Sequence, residues 1–324
     1  MKAALLVEPG KVVVDEVGDP EPGPGEVRIA VGGVGLCGSD QSVFSGKWEV
    51  RSYPWIMGHE AFGVIDAVGP GVSAGRIGDL VVVEPNVACF ECDVCRSGVT
   101  SACRGRQSLG MNRPGALAER VVISSEFAWP VSPADHIDLV CVEPATVAGA
   151  ALRRLRARLP GSALVVGAGA QGLTMALALI GKGVTVFTHD INAHRIEFAA
   201  ELGAAPVVDG LSFELVVDTV GSPASMATAM HHIAAGGSVI CLGLDSRPLE
   251  LSSQTLVRSQ VTVQGSLTYD HPVDFATTLD DLAAGRIRPG QIVTDEYPLE
   301  DTQAAFENSA KARGKTWIRV GSLN

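Results

Sequence analysis

Cys89, Cys92, Cys95 and Cys103 stand in the spacing C-x2-C-x2-C-x7-C. Thiolates two residues apart can turn onto one tetrahedral ion, and four of them fill every position that a structural zinc offers. The spacing therefore predicts a small metal-bound lobe over 89–103 that holds zinc without performing chemistry on it. A disulfide network is the competing arrangement. Against it, four of the seven cysteines fall in this one stretch and no secretory segment precedes them.

A second constraint lies at Gly167, Gly169 and Gly172, a G-x-G-x-x-G turn between the apolar run SALVV and the apolar run LTMALALI. The first glycine permits the tight turn, the second lets backbone approach a pyrophosphate, and the third lets helix and strand pack closely. The helix that follows offers amide donors and the positive end of its dipole to phosphates; Gln171 lies in its first turn. Asp190 ends the next strand eighteen residues after Gly172. A carboxylate there accepts hydrogen bonds from ribose hydroxyls and repels a 2′-phosphate, so NAD is expected rather than NADP. Arg195, nearby, bears on the same choice, and an ordinary turn capped by Asp190 is the plain alternative.

The patterns along the chain divide it. From Val12 to Val87, short Val-rich stretches such as EVRIAV, FGVIDAV and DLVVVEP are separated by Gly and Pro, the texture of short strands joined by turns. From about Thr146, helical and strand patterns alternate, which predicts a parallel sheet covered by helices. One crossover does not fit: only Gly210 to Phe213 separate the strand candidates PVVD and ELVVDTV, whereas a parallel crossover takes a dozen residues or more. One helix of the nucleotide domain should be missing there. The run Arg153, Arg154, Arg156 and Arg158 reads as a solvated helical face. Expected domains are 1–145, 146–270 and a returning tail, 271–324.

Outside the lobe, Cys37 in GLCGSD, His59 and Glu60 in MGHEAFG, and Glu143 in VEPATVAG offer a thiolate, an imidazole and carboxylates. Three such ligands with a fourth position left open make a catalytic form of zinc. Taken singly, each has a plainer explanation: a small buried thiol, a hydrogen-bonded core histidine, a carboxylate at a helix start.

These motifs together resemble the zinc-dependent medium-chain alcohol and polyol dehydrogenases over nearly the whole chain. GLCGSD, GHE, GD-x-VVVEP, the four-cysteine lobe, VEP, GAGAQG, YPLEDTQAAFE and GKTW carry the resemblance. It implies an α/β fold: a doubly wound Rossmann nucleotide domain beside a mostly β, GroES-like catalytic domain with the structural-zinc lobe, the cofactor and catalytic zinc being held between them. It implies that Cys37, His59 and Glu143 bind the catalytic zinc, that Glu60 lies just behind it as an exchanging or outer group, and that Asp40 orients His59. A glutamate as third ligand places the chain nearer the sorbitol and threonine dehydrogenase branch. Zinc lowers the pKa of a bound secondary alcohol and NAD accepts its hydride. Ser39 is placed to take the alcohol proton. Many relatives continue the relay through a histidine five residues after the cysteine; here that position is Ser42, so water or Glu60 would have to complete it.

The polar segment Lys47, Trp48, Glu49 and Arg51 suits a hydroxyl-rich or amino-bearing substrate: a polyol, sugar alcohol, cyclitol or hydroxy amino acid. A general alcohol dehydrogenase or ketone reductase is the alternative, and a non-catalytic zinc and dinucleotide redox sensor the reading outside enzymes. The net charge of −11 opposes a nucleic-acid partner. The opening MKAALLVEPG is too short in apolar residues for a membrane span, so a cytoplasmic protein is expected. The resemblance also implies a homodimer or homotetramer built through strands near Gly236 to Gly265. Cys141 and Cys241 read as core thiols.

Overall fold

The strand Glu26–Gly35 organises the first half of the chain. Its side chains alternate between half-buried and buried over the first six residues and are buried throughout the rest, so it begins as a one-sided strand and ends inside the core. It pairs antiparallel with Glu60–Val68, with Arg120–Ser124 and, at its far end, with Lys315–Arg319. In this computed structural model, which describes residues 1–132 and 134–321, these strands belong to a seven-stranded sheet. Its order is Ala128–Pro130, Leu80–Val83, Glu60–Val68, Glu26–Gly35, Lys315–Arg319 and Val293–Pro298, with Arg120–Ser124 added beside the central strand. A smaller sheet of Lys11–Glu16, Lys2–Glu8 and Trp55–Ile56 accompanies it. Leu6, Val27, Ile29, Ile65, Phe127 and Phe306 are among the core residues.

Residues 1–143, 275–283 and 288–324 form this unit; residues 144–274 and 284–287 form the other. The chain thus changes unit at 143/144, where 145/146 was expected. It returns at 275 instead of 271, and 284–287 count with the second unit.

The second unit holds a six-stranded sheet in the order Ala205–Pro206, Thr185–His189, Ser162–Val166, Phe213–Asp218, Ile233–Cys241 and Thr262–Gly265. Every pairing in it is parallel. Helices Ala170–Ile180, Ala193–Glu201 and Pro223–His232 supply crossovers. Between Pro206 and Phe213 the chain makes no helix and turns at Gly210, whose φ is +86°. This link runs from the sheet edge across two strands to the far side of Ser162–Val166. Three strand spacings amount to about 14 Å, and an extended link of this length reaches about 20 Å, so no crossover helix is needed.

The arginine run is only in part the expected solvated helical face: Arg153, Arg156 and Arg158 are exposed and Arg154 is half-buried. The helix ends at Arg154, leaving Arg156 and Arg158 beyond it. Arg153 Nη2 donates to Asp274 Oδ2 at 2.8 Å and Asp270 Oδ2 at 3.1 Å, while Arg154 Nη1 reaches the Ser266 hydroxyl and the Leu267 carbonyl, both at 2.9 Å. Periodicity records the helix but not the carboxylates and carbonyls waiting at its end. Among the described residues no helix is long and apolar enough to cross a membrane.

One contact of the first unit ties the chain's end to the segment carrying Cys37. Phe306, on the helix Thr302–Ser309 and 1% exposed, stacks on Phe44 with ring centroids 4.8 Å apart, and its carbonyl accepts from Gln41 Nε2 at 2.7 Å. Phe306→Ala should lower stability by about 3–5 kcal/mol. Denaturant melts of the two proteins side by side measure this; a difference within error would show that the stack is dispensable.

Candidate active site

Cys37 precedes the seven-residue helix Gly38–Phe44, and Asp40 lies in that helix's first turn. The Asp40 carboxylate is wholly buried, which it can be only because donors surround it. Oδ2 accepts from the Cys37 amide at 3.1 Å; Oδ1 accepts from the Gly58 amide at 3.1 Å and faces His59 Nδ1 at 3.2 Å. One carboxylate therefore fixes the backbone on both sides of the site and fills one nitrogen of the imidazole, leaving Nε2 as the ligand atom. Gly58 must be glycine for this: its φ is +89°, and a Cβ would meet Leu117 and Val34. Burial disfavours a protonated His59, but Asp40 and the Cys37 sulfur outweigh it and raise the ring's pKa well above the ordinary value. A cation on Nε2 would take that proton's place.

Cys37, His59 and Glu60 each bring a ligand atom within 4.8 Å of the others. Thiolate, imidazole and carboxylate at this spacing suit a zinc with an open position. The Ser39 hydroxyl lies 3.5 Å from His59 Nε2 and so borders the same space. Ser42 does not join it; its hydroxyl is 3.1 Å from the Gly38 carbonyl of its own helix. Glu143 is buried in the first turn of the helix Val142–Arg154 and is not in the gathered group. Glu60 adjoins His59 at the end of a strand opposite Gly35, whereas Glu143 is carried by the helix Val142–Arg154.

Glu60 also has a partner that local sequence does not announce. Lys315 Nζ, 1% exposed, forms an ion pair with Glu60 Oε2 and donates to the Leu36 carbonyl at 3.2 Å. Burial works against the ammonium, but the Glu60 carboxylate, with the Cys141 and Cys37 sulfurs, raises its pKa above the ordinary lysine value. Gly35 makes the space, since a Cβ there would fall on the Glu60 carboxylate and the Lys315 chain. The only sequence signal was the lysine in GKTW, and nothing in that tetrapeptide points to residue 60.

In the lobe, the sulfurs of Cys89, Cys92, Cys95 and Cys103 all lie within 4.8 Å of one another. Cys89 and Cys103 are 3.4 Å apart and Cys89 and Cys95 4.0 Å. Sulfurs around a tetrahedral zinc are about 3.8 Å apart, whereas a disulfide would bring a pair to about 2.05 Å. All seven cysteines are free thiols, so the disulfide alternative does not hold. Amides of Cys95 and Arg104 lower the Cys92 thiol to about 6, while burial pushes Cys95 up to about 12. Burial likewise pushes Cys141 up to about 12, as an inert core thiol requires, and the half-buried Cys241 to about 11.

In the second unit, Gly167 has φ +94°, and a Cβ on Gly172 would overlap the Gly167 carbonyl. The space at Gly169 stays open, its nearest outside atom being Arg195 Nη1 at 3.8 Å from a built Cβ. Asp190 is both a ligand candidate and a brace: Oδ2 accepts from the Ala168 amide at 2.7 Å and Oδ1 from the Asn192 amide at 2.8 Å. Each oxygen keeps a lone pair for a ribose hydroxyl. Gln171, in the first turn of Ala170–Ile180, reaches the Pro144 carbonyl at 3.4 Å. Asp218, not singled out from sequence, is wholly buried and accepts from the Val220 and Gly221 amides at 2.9 and 3.0 Å, shaping the loop after the neighbouring strand. Its signal was weak: one acidic residue ending a buried strand.

Two family profiles match the chain, the Alcohol dehydrogenase GroES-like domain over 23–133 and the Zinc-binding dehydrogenase over 170–284. The chain is 30% identical to the starvation-sensing protein RspB of Escherichia coli K12, covering 96% of this chain and 97% of that one. It is 28% identical to the sorbitol dehydrogenase of Bacillus subtilis, covering 97% and 95%. A crystal structure described as the short chain alcohol dehydrogenase rspB from E. coli CFT073, complexed with NADH, superposes with a TM-score of 0.91 at 28% identity, covering 98% and 99%.

Two substitutions test the site. Asp40→Asn should weaken zinc at Cys37, His59 and Glu60 by about 10–100-fold while zinc in the four-cysteine lobe is kept; metal content after dialysis against a graded chelator separates the two. Lys315→Met strands a buried carboxylate and should cost about 3–5 kcal/mol. Adding Glu60→Gln should return much of that loss, and a double variant no more stable than the single would break the link between the two residues.

Proposed function

The chain belongs to the zinc-dependent medium-chain alcohol and polyol dehydrogenase family, and from that premise we propose that it oxidises a secondary hydroxyl of a polar substrate with NAD as hydride acceptor. The substrate class is a polyol, sugar alcohol, cyclitol or hydroxy amino acid. The observation that carries the reading is the grouping of Cys37, His59 and Glu60 with Ser39 beside His59 Nε2. Support for a polar substrate comes from the exposed Lys47, Trp48, Glu49 and Arg51 and from the sorbitol dehydrogenase among the relatives.

Cys37 and His59 would hold the catalytic zinc with a carboxylate as third ligand, Glu143 by the family resemblance, while Glu60, gathered beside them and paired with Lys315, would be the exchanging group. Cys89, Cys92, Cys95 and Cys103 would hold a structural zinc. When bound, zinc acidifies an alcohol and the nicotinamide accepts its hydride. The protein's own groups do the remainder. Asp40 holds the His59 ring and both flanking amides in one geometry. Ser39 Oγ takes the hydroxyl proton of the substrate. Ser42, bonded to its own helix, is a poor next step, so the proton would pass to water from the half-buried Ser39.

For the cofactor, Gly167, Gly169 and Gly172 leave backbone open to a pyrophosphate, with Arg195 beside Gly169 and Gln171 in the first helical turn. Asp190 would accept from the adenosine ribose. The next residue, Ile191, is fully exposed and offers no cation to a 2′-phosphate, which favours NAD over NADP. A homodimer or homotetramer would form through the sheet edge Thr262–Gly265, flanked by the exposed Leu244, Val257 and Leu267.

The test is the initial rate of NADH formation by zinc-loaded protein over polyols, cyclitols, L-threonine and simple secondary alcohols, with NADP in parallel. A polar member should be turned over with NAD, and Ser39→Ala should lower kcat by about 10²–10⁴-fold with little change in KM. Preferred turnover of simple alcohols would move the chain to general alcohol oxidation. Silence across the panel, with zinc and NAD both bound, would sink the reading.

A further inference from the structure

The six-residue link that replaces the missing crossover helix brings a carboxylate to a pair of histidines. Asp209 lies in this link just before Gly210, whose φ of +86° turns the chain sharply. His231 and His232 are the last two residues of the helix Pro223–His232, and Ile233 opens the next strand beside Phe213. The link and the helix end thus meet at the amino-terminal ends of Phe213–Asp218 and Ile233–Cys241. Asp218 and the Gly167 turn lie at the opposite, carboxyl-terminal end of the sheet.

One ligand atom from each of Asp209, His231 and His232 lies within 4.8 Å of the other two. His232 is 4% exposed, and its Nδ1 lies 2.9 Å from the Leu211 carbonyl, to which it donates as the neutral tautomer. That bond comes from the link itself, and it leaves Nε2 carrying the lone pair, the arrangement that prepares a histidine for a metal. The ring is held further by edge contacts with Phe213 and with His231, centroids 6.4 and 4.8 Å away. Asp209 and His231 are exposed, so a cation can enter from solvent. The negative end of the ten-residue helix adds to the attraction for positive charge.

We propose that Asp209, His231 and His232 form a metal site on the nucleotide unit, separate from the cysteine lobe and from Cys37, His59 and Glu60. Two imidazoles and one carboxylate suit zinc. Ligand atoms around tetrahedral zinc stand about 3.4 Å apart, which side-chain rotation of the two exposed residues reaches from the present spacing. An ion there cross-links the link to the end of the helix, closing with a bond the place where the fold has dispensed with a helix. It stabilises the nucleotide unit and takes no part in hydride transfer.

The test is equilibrium binding of zinc to the full chain, already loaded at its two other sites, in a buffer of defined free zinc. It is run on the natural sequence, on His231→Ala and on Asp209→Asn, both at exposed positions, with the melting temperature of each metal-free variant compared with that of the natural protein. The natural protein should take up one further ion and melt at a higher temperature when it does. Each variant should bind that ion at least about ten-fold more weakly and lose the added thermal shift. Cu(II) in place of zinc should give an electron paramagnetic resonance spectrum with two imidazole nitrogens, reduced to one in His231→Ala. Saturation of the natural protein without a further ion overturns the site. So does a further ion bound equally well by His231→Ala and Asp209→Asn.

Discussion

Lys315 and Glu60 meet almost without exposure to solvent, and much of the first unit is arranged around that pair. An isolated charge in a protein interior costs several kcal/mol, so neither residue is tolerable there without the other. The consequences spread along three strands. Lys315 begins a strand that pairs with Glu26–Gly35, Glu60 begins another, and Gly35 lacks the side chain that would separate them. The end of the chain is thereby fastened to the residue beside His59. A tail that follows the second unit in sequence becomes part of the first unit's site.

The two cysteine-containing groups divide their work by what surrounds them. In the lobe, four sulfurs face one another and backbone amides lower the pKa of Cys92, so a bound ion would meet only protein. At Cys37 the thiolate has one imidazole and one carboxylate for company, and a serine hydroxyl borders the remaining space. Of these two groups only the second would leave a ligand position over, which is what chemistry on a bound ion requires. Asp40 makes it workable by holding the Cys37 amide, the Gly58 amide and His59 with one carboxylate.

What could be read from the sequence is what is encoded over short distances. The four cysteines fall within one stretch, the glycine turn lies between a strand and a helix, and the gap before Phe213 is too short for a crossover helix; each is a matter of counting along the chain. Asp190 was legible as a strand-end carboxylate, but not as the brace that accepts the Ala168 and Asn192 amides. The Lys315 and Glu60 pairing spans most of the chain, and no periodicity reports it. Arg153 and Arg154 illustrate the same limit, because their partners Asp270, Asp274 and Ser266 come from a segment more than a hundred residues later. The place of Glu60 opposite Gly35 follows from strand register, which a spacing argument does not contain.

Glu60 is claimed by two positive charges. Its carboxylate already neutralises Lys315, while its neighbours Cys37 and His59 offer a site to a divalent cation. If Glu60 stays with the lysine, Cys37 and His59 offer such a cation one thiolate charge and an imidazole, and Glu143 would be the carboxylate left to complete the set. If Glu60 turned to the ion, Lys315 would be left against the Leu36 carbonyl alone, which is costly at this depth. The buried lysine therefore biases the carboxylate away from full ligation. It keeps Glu60 near enough to exchange and makes a tight, permanent bond unfavourable. A residue at the far end of the sequence thus reaches the site, through a carboxylate that the strand register delivers to both.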